Sequence, residues 1–232
     1  MEQITITGAK ENAQYLTYLY EKVRGKFSFS TEECGISAGG GFETLSFCVD
    51  ETLCPYLRRY AEDRMAEIIA VGYKYRYFDK RLSLPLLSSA QKQLLCTALV
   101  AADFNEDREY AVKRLRNEGE YSIDGVFNFR LGELKRRWDG VLDYIPAQFG
   151  GAALDDFVSF LVDEGEGKAY VKGGRVYDEN YRLLSRSKLL SGGGVVAELL
   201  LKGAAKVYCF GETETDVKEF LLKYYRENAV FC

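Results

Sequence analysis

The sequence of residues 195–210, VVAELLLKGAAKVYCF, combines the two kinds of secondary structure that decide the fold. Its first half is an apolar run that is typical of a buried helix. Its second half, from Ala205 onward, favours a strand. Upstream, Lys168 to Lys172 and Arg175 to Asp178 flank a Gly-Gly pair, which favours the tight turn of a β-hairpin. Residues 151–232 are therefore predicted to form a compact C-terminal α/β unit.

The N-terminal residues 1–54 are predicted to form a β-α-β-β unit. Isoleucines that alternate with threonines at residues 4–7 predict a strand. Apolar residues at spacings of three and four predict a helix over residues 9–24, and Gly25 is expected to end that helix. Two further strands are predicted at residues 26–30 and 42–49.

Residues 55–150 are predicted to be mainly helical. Pro55 suits the first turn of a helix, because its missing N–H would lack a partner there. Apolar spacing predicts further helices at residues 88–104, 106–118 and 122–145, and Pro146 and Gly150 then mark a boundary. The predicted fold class is therefore α+β, with a small N-terminal sheet and helix, a helical middle region and a C-terminal α/β unit. The three regions are compatible with one continuous body.

Three segments carry a resemblance to a known protein family. They are residues 123–131 (IDGVFNFRL), residues 199–208 (LLLKGAAKVY) and the tail from Glu219 to Cys232. In their order and spacing they resemble the YtxC-like family of sporulation proteins, with its Gly-x-x-x-Phe-Arg-Leu helix and its leucine-rich helix that leads through a lysine into a strand. The resemblance implies a bacterial protein with a role in cells that form endospores. It implies no activity and no functional residues.

The composition excludes several kinds of chemistry. No histidine occurs in the 232 residues, which excludes Ser-His-Asp catalysis, Cys-His catalysis and histidine-ligated zinc. The six cysteines include no Cys-x-x-Cys pair, so neither a zinc ribbon nor a redox dithiol is expected. No metal and no cofactor is predicted.

The sequence also predicts where the protein works. The N-terminus does not resemble an export signal, and no apolar run approaches the roughly 20 residues that cross a bilayer. We therefore expect a soluble, cytoplasmic protein with reduced cysteines and no contact with a membrane.

The helix predicted over residues 122–145 supplies the candidate partner-binding residues, which are Arg130, Lys135, Arg136 and Arg137. Arg130 is expected to lie on or beside the apolar stripe of that helix. A buried arginine needs carboxylates or carbonyls around its donors, so a structural ion pair is favoured over recognition of an anionic ligand. Lys135, Arg136 and Arg137 would suit phosphate contacts, but a solvated helix face is the favoured interpretation.

Residues 56–137 are basic, with 16 basic against 12 acidic side chains, although the whole chain has a net charge of −4. Within them, residues 73–81 interleave aromatic and cationic residues, a combination that binds single-stranded nucleic acid. The same segment suits a helix end whose rings pack inward while its cations reach solvent. That second interpretation is favoured, because the chain is acidic and has no standard nucleic-acid-binding motif.

Several smaller motifs are interpreted as structural. The clusters Gly39–Gly41 and Gly192–Gly194 match no phosphate-binding fingerprint and are interpreted as flexible connections. Ser185 and Lys188 form a Ser-x-x-Lys spacing without its supporting motifs, which is interpreted as chance. Thr213 is predicted to cap the last helix.

Three functional hypotheses stay open. The leading one is a sporulation-associated cytosolic protein that acts through a protein partner, without enzymatic activity. The second is a nucleic-acid-binding protein that uses the basic middle region. The third is an enzyme whose histidine-free site combines Arg130 with tyrosines and carboxylates from distant segments.

Overall fold

Two four-stranded sheets, each with its own helices, form the structure, which is a computed structural model that describes residues 1–27, 34–116 and 121–232. The predicted mixed α and β character is confirmed. The chain divides into a first unit, Met1–Lys74 with Asn105–Asp139, and a second unit, Tyr75–Phe104 with Gly140–Cys232. This grouping differs from the three regions predicted along the sequence. The helices of the predicted middle region are divided between the two units.

The bounds of the elements follow the chain. The first elements are β1 (Glu2–Ala9), α1 (Ala13–Lys26), β2 (Cys34–Gly39), β3 (Phe42–Val49), α2 (Cys54–Ile68), a π-helical turn (Ile69–Tyr73), α3 (Lys74–Arg81), α4 (Ser89–Ala102), α5 (Phe104–Leu115), β4 (Tyr121–Ser122), α6 (Ile123–Arg130) and α7 (Gly132–Asp143). The remaining ones are α8 (Gly151–Asp163), β5 (Lys168–Lys172), β6 (Arg175–Tyr177), α9 (Val195–Lys202), β7 (Lys206–Phe210), α10 (Thr215–Phe220), a second π-helical turn (Leu221–Tyr225) and β8 (Ala229–Phe231).

The sheet of the first unit has the order β2-β3-β1-β4. β1 pairs antiparallel with β3 and parallel with β4, so the strands predicted around residues 4–7 and at 42–49 are confirmed. Gly40 and Gly41 have positive φ and form the turn between β2 and β3, which makes them a hairpin turn and not a flexible connection. The strand predicted at residues 26–30 is not found at Lys26, which ends α1, and its residues 28–30 lie outside the described residues.

One continuous helical stretch runs from Cys54 through the first π-helical turn into α3. Pro55 lies in its first turn, as predicted. All residues of the π-helical turn are buried, and Gly72 in that turn faces the ring of Tyr15, where a Cβ atom would lie 2.6 Å from the ring carbon Cε1. A π-helical turn inserts an extra residue and shifts the helical phase. The residues that flank the turn are also buried, and Lys74 at the start of α3 is one of them.

The helix predicted over residues 122–145 is two helices. Leu131 between them has a non-helical backbone, with φ −107° and ψ 30°, and its side chain is buried. Gly132 follows and starts α7, and glycine is a weak helix former that tolerates such a change of direction. The break allows Val126 of α6, Leu131 and Trp138 of α7 all to be buried.

A buried ion cluster in the first unit joins α5 and α7 to Lys74 at the start of α3. The Asp107 carboxylate on α5 receives Lys74 Nζ at 2.7 Å and Arg137 Nη2 at 2.7 Å. Trp138 Nε1 donates to the same carboxylate at 2.8 Å. Because Lys74 and Asp107 are almost fully buried, each needs the other to compensate its lost hydration.

We expect Lys74→Ala to lower the free energy of unfolding by about 3–5 kcal/mol, because it leaves Asp107 buried with fewer compensating donors. The control is Arg136→Ala, which breaks the exposed pair with Glu133 and should lower it by no more than about 1 kcal/mol. Urea unfolding followed by the fluorescence of the single tryptophan measures both. Equal losses in the two variants would contradict a structural role for the buried cluster.

The sheet of the second unit has the order β6-β5-β7-β8. β5 pairs parallel with β7, which pairs parallel with β8, while β6 forms a hairpin with β5. The predicted hairpin is confirmed, with positive φ at Gly173 and Gly174. Gly194 precedes α9, and its carbonyl accepts from the Glu198 N–H, so the glycine cluster there leads into a helix. Thr213 does not cap the last helix, because α10 begins at Thr215 and follows Glu214.

Side chains alternate across the second sheet. One face is buried, with Ala169, Val171, Val176, Val207 and Cys209, and α9 packs against β5 and β6. The other face carries residues that are exposed or half-buried. Within the described ranges, no helix combines the length and hydrophobicity needed to cross a membrane.

Candidate functional site

The four residues predicted to bind a partner do not converge on one point. Arg130, predicted on or beside the apolar stripe, is exposed at the end of α6 and is therefore not buried in that stripe. Lys135 Nζ donates to the Asn128 carbonyl at 3.1 Å, and Arg136 pairs with Glu133 at 2.6 Å. Arg137 reaches the buried Asp107. Their role in partner binding stays a prediction.

Three of the rings in the aromatic and cationic segment at residues 73–81 are buried. Tyr73, Tyr75 and Phe78 are at most 5% exposed, so their rings cannot stack on bases. The favoured interpretation, rings that pack inward, is confirmed for them. Lys74 departs from it, because its ammonium is buried against Asp107 and does not reach solvent.

The two residues of the Ser-x-x-Lys spacing belong to a short helical turn of the second unit, in which the Lys188 N–H donates to the Ser185 carbonyl. Ser185 precedes a short 3-10 helix at Arg186–Leu189, which contains Lys188. The buried Glu198 accepts hydrogen bonds from the backbone N–H groups of Arg186 at 3.0 Å and Ser187 at 2.7 Å. This carboxylate therefore satisfies the start of the 3-10 helix.

The outward face of the second sheet brings together aromatic and cationic residues that the sequence does not place side by side. Register pairs Tyr170 with Tyr208 and Tyr177, and pairs Lys172 with Phe210. We call this surface the aromatic face. It consists of Tyr170, Tyr177, Tyr208 and Phe210 with Lys168, Lys172, Arg175 and Lys206, and Tyr181 is stacked upon it.

The rings of the aromatic face lie within stacking distance of one another. The centroid of Tyr170 is 5.6 Å from that of Tyr208 and 6.3 Å from that of Phe210. Tyr181 lies almost parallel to Tyr170, with centroids 4.6 Å apart and an interplanar angle of 15°. Tyr181 adopts a positive φ of 57° and is 68% exposed, so its outer surface is available to a ligand. Such a backbone conformation is uncommon for a non-glycine residue.

The electrostatics of the aromatic face favour an anionic ligand. The outward positions of the described strands β5, β6 and β7 carry four cations and no carboxylate. Lys206 Nζ lies 5.4 Å from the ring centroid of Tyr208. Nearby, Glu179 is paired with Lys202 at 3.1 Å, which offsets its charge. A hydrogen bond with Tyr181 raises the pKa of Tyr170.

Burial keeps four of the cysteines as thiols. Desolvation raises the pKa of Cys34 to about 11 and that of Cys96 to about 12. Burial also raises the pKa of Cys54 and Cys209. A nucleophilic cysteine needs the opposite shift, so these four residues are not activated. In the part of the chain that the structure describes, no group of three or more acidic residues and cysteines is placed to hold a metal ion.

We expect iodoacetamide at pH 8 to modify the exposed Cys232 in the native protein long before Cys96. Cys96 is buried, and with a pKa of about 12 it holds roughly one thiolate in 10,000 at that pH. Peptide mass spectrometry over time measures both rates, and the protein unfolded in urea is the control in which the two rates converge. Equally fast native labelling of Cys96 would contradict its burial.

The structure defines a mixed α/β protein with an outward sheet face of aromatic and cationic residues. Comparisons of the chain with protein-family models, with curated proteins and with solved structures found no match. The functional argument therefore rests on the geometry of the aromatic face.

Proposed function

We propose that this protein binds single-stranded nucleic acid on the aromatic face. The observation that carries the proposal is the cluster of rings formed by Tyr181, Tyr208 and Phe210 around Tyr170, with cations on either side of it. Rings offer stacking surfaces to bases, and lysine and arginine at the edge neutralise phosphates. Four-stranded sheets that recognise RNA use exposed aromatic residues in this way.

The geometry favours a single strand over a duplex. In a duplex the faces of the bases are covered by their neighbours, whereas an unpaired strand can splay its bases onto a flat surface. Tyr208 and Phe210 lie 5.6 and 6.3 Å from Tyr170, and Tyr181 is stacked on that central ring. The three rings around Tyr170 therefore offer neighbouring surfaces over which a flexible strand can distribute successive bases. Stacking of this kind tolerates any base, so weak sequence preference and strong salt dependence are expected.

We expect Tyr208→Ala to weaken the binding of a fluorescein-labelled single-stranded 12-mer by roughly 5- to 150-fold, since one base stack contributes about 1–3 kcal/mol. The matched control is Tyr144→Ala, a 90% exposed tyrosine of the second unit that is not in the sheet. Fluorescence anisotropy measures both affinities. Lys172→Gln should also reduce the slope of log K against log salt by about one.

Two results would count against this proposal. One is wild-type protein that binds a duplex as tightly as the single strand. The other is an affinity of the Tyr208→Ala variant that equals those of the wild type and of Tyr144→Ala. Binding would then occur elsewhere on the chain.

A second candidate function is interaction with an acidic protein partner in cells that form endospores. It is supported by the resemblance to YtxC-like proteins and by the end of α6, where Phe129 is 88% exposed next to Arg130. Exposed aromatic and arginine side chains are the residue types that dominate binding energy at protein interfaces.

We expect a stoichiometric partner, recovered with tagged protein from sporulating cells after nuclease treatment, to be lost in Phe129→Asp. Phe160→Asp is the control, because Phe160 is also exposed, at 58%, and belongs to the second unit. Mass spectrometry of the eluates measures the ratio of partner to bait. Equal recovery with the two variants would exclude the end of α6 as the interface.

A further inference from the structure

Each of the two sheets ends in two edge strands, and three of these four have a protection against pairing with another chain. Proteins protect a sheet edge by keeping its strand very short or by covering it. β4 has two residues and β8 has three. The outer side of β6 is covered by its own chain, because the Leu184 N–H donates to the Val176 carbonyl at 2.9 Å. Leu183 also bridges to Tyr177 there.

The fourth edge strand, β2 of the first sheet, has none of these protections within the ranges that the structure describes. Its six residues, Cys34–Gly39, include no charged side chain and no proline. Its register with β3 runs one for one from Cys34 to Gly39, so no bulge twists the edge away. No described strand pairs with its other side. A regular, uncharged edge of this length is a template for a further strand.

The side chains of β2 leave the edge accessible. Gly35 and Gly39 lie on the outward face, where a Cβ atom at either position would meet no described atom within 4 Å. Ile36 lies on the other face, because it is paired with the fully buried Leu45. Ile36 is nevertheless 39% exposed. The core that covers Leu45 therefore covers Ile36 only in part, at the edge where the sheet ends.

We propose that β2 is a dimerisation edge, which pairs antiparallel with β2 of a second copy of this chain and joins two four-stranded sheets into one. The two-fold axis passes through the pair formed by Ile36 and its equivalent in the second copy. Residues directly opposite each other in an antiparallel pair lie on the same face, with Cβ atoms about 4.5–5.5 Å apart. Each isoleucine therefore covers the exposed part of the other, and Cys34 lies opposite Ala38 on the same face.

Charge favours a second copy as the occupant of this edge. Self-pairing brings a strand opposite itself, and like charges in that position are destabilising. β2 carries no charge, and neither do the outward residues of the adjacent β3, which are Phe42, Thr44, Ser46 and Cys48. Charged residues make up 28% of the chain, so this surface shows the depletion of charge that marks the centre of protein interfaces. A strongly charged peptide would find no complementary charge on it.

The test is sedimentation equilibrium of the full chain from about 1 to 100 µM, a range that measures micromolar dissociation constants. We expect the wild type to dimerise and Ile36→Lys to raise the dissociation constant roughly tenfold or more, because the apolar contact is lost and two like charges face each other. The matched control is Leu222→Lys, the same kind of change at a 55% exposed leucine of the second unit. It should leave the dissociation constant unchanged.

A charge exchange separates loss of pairing from loss of folding. Ile36→Glu alone should dissociate as Ile36→Lys does, whereas an equimolar mixture of the two variants should form a heterodimer, because opposite charges then lie across the two-fold axis. A wild type that stays monomeric over the whole range would overturn the inference. Dimers that persist in Ile36→Lys, or a mixture that forms no heterodimer, would overturn it as well. The inference concerns the first unit and does not depend on nucleic-acid binding by the aromatic face.

Discussion

The buried carboxylate of Asp107 is the constraint on which the first unit depends. Moving a charge out of water costs several kcal/mol, and the attraction of its partners offsets that cost only in good geometry. Lys74 of α3 and Arg137 and Trp138 of α7 supply that geometry, with donors at 2.7 to 2.8 Å. A second carboxylate works alongside it, because Asp124 on α6 accepts from the Tyr73 hydroxyl at 2.7 Å and from the Asn12 amide at 2.6 Å. These contacts fix the register of helices that apolar packing alone would allow to slide.

Two adjacent residues beside the π-helical turn serve both carboxylates. Tyr73 and Lys74 are both buried, as is every residue from Met65 to Lys74, and one is bonded to Asp124 and the other to Asp107. Residues one apart in a helix point about 100° away from each other, so the two side chains reach different partners from one buried helical stretch. Gly72 lies beside them because the ring of Tyr15 occupies the space of a side chain.

Local sequence patterns predicted the secondary-structure elements of this chain better than they predicted which distant residues contact one another. The strand at residues 42–49, the hairpin around Gly173 and the helix after Gly194 depend on neighbouring residues, and periodicity or turn chemistry reveals them. The burial of Lys74 depends on Asp107, 33 positions further on, so composition alone suggested a cation that reaches solvent. The break at Leu131 was missed because the apolar stripe continues through it.

The aromatic face could not be predicted from the sequence, because it too depends on contacts between residues that are distant along the chain. Each strand shows the signal on its own, as Lys-Ala-Tyr-Val-Lys in β5 and Lys-Val-Tyr-Cys-Phe in β7, in which outward residues alternate with a buried set. Only the parallel register places Tyr170 beside Tyr208.

The valines and Cys209 on the opposite face already supply the buried surface that holds the sheet to its helices. Packing therefore does not require rings at the outward positions, where exposed aromatic groups gain little from folding. The single-stranded nucleic acid that we propose as the ligand would cover these clustered aromatic residues and the cations beside them.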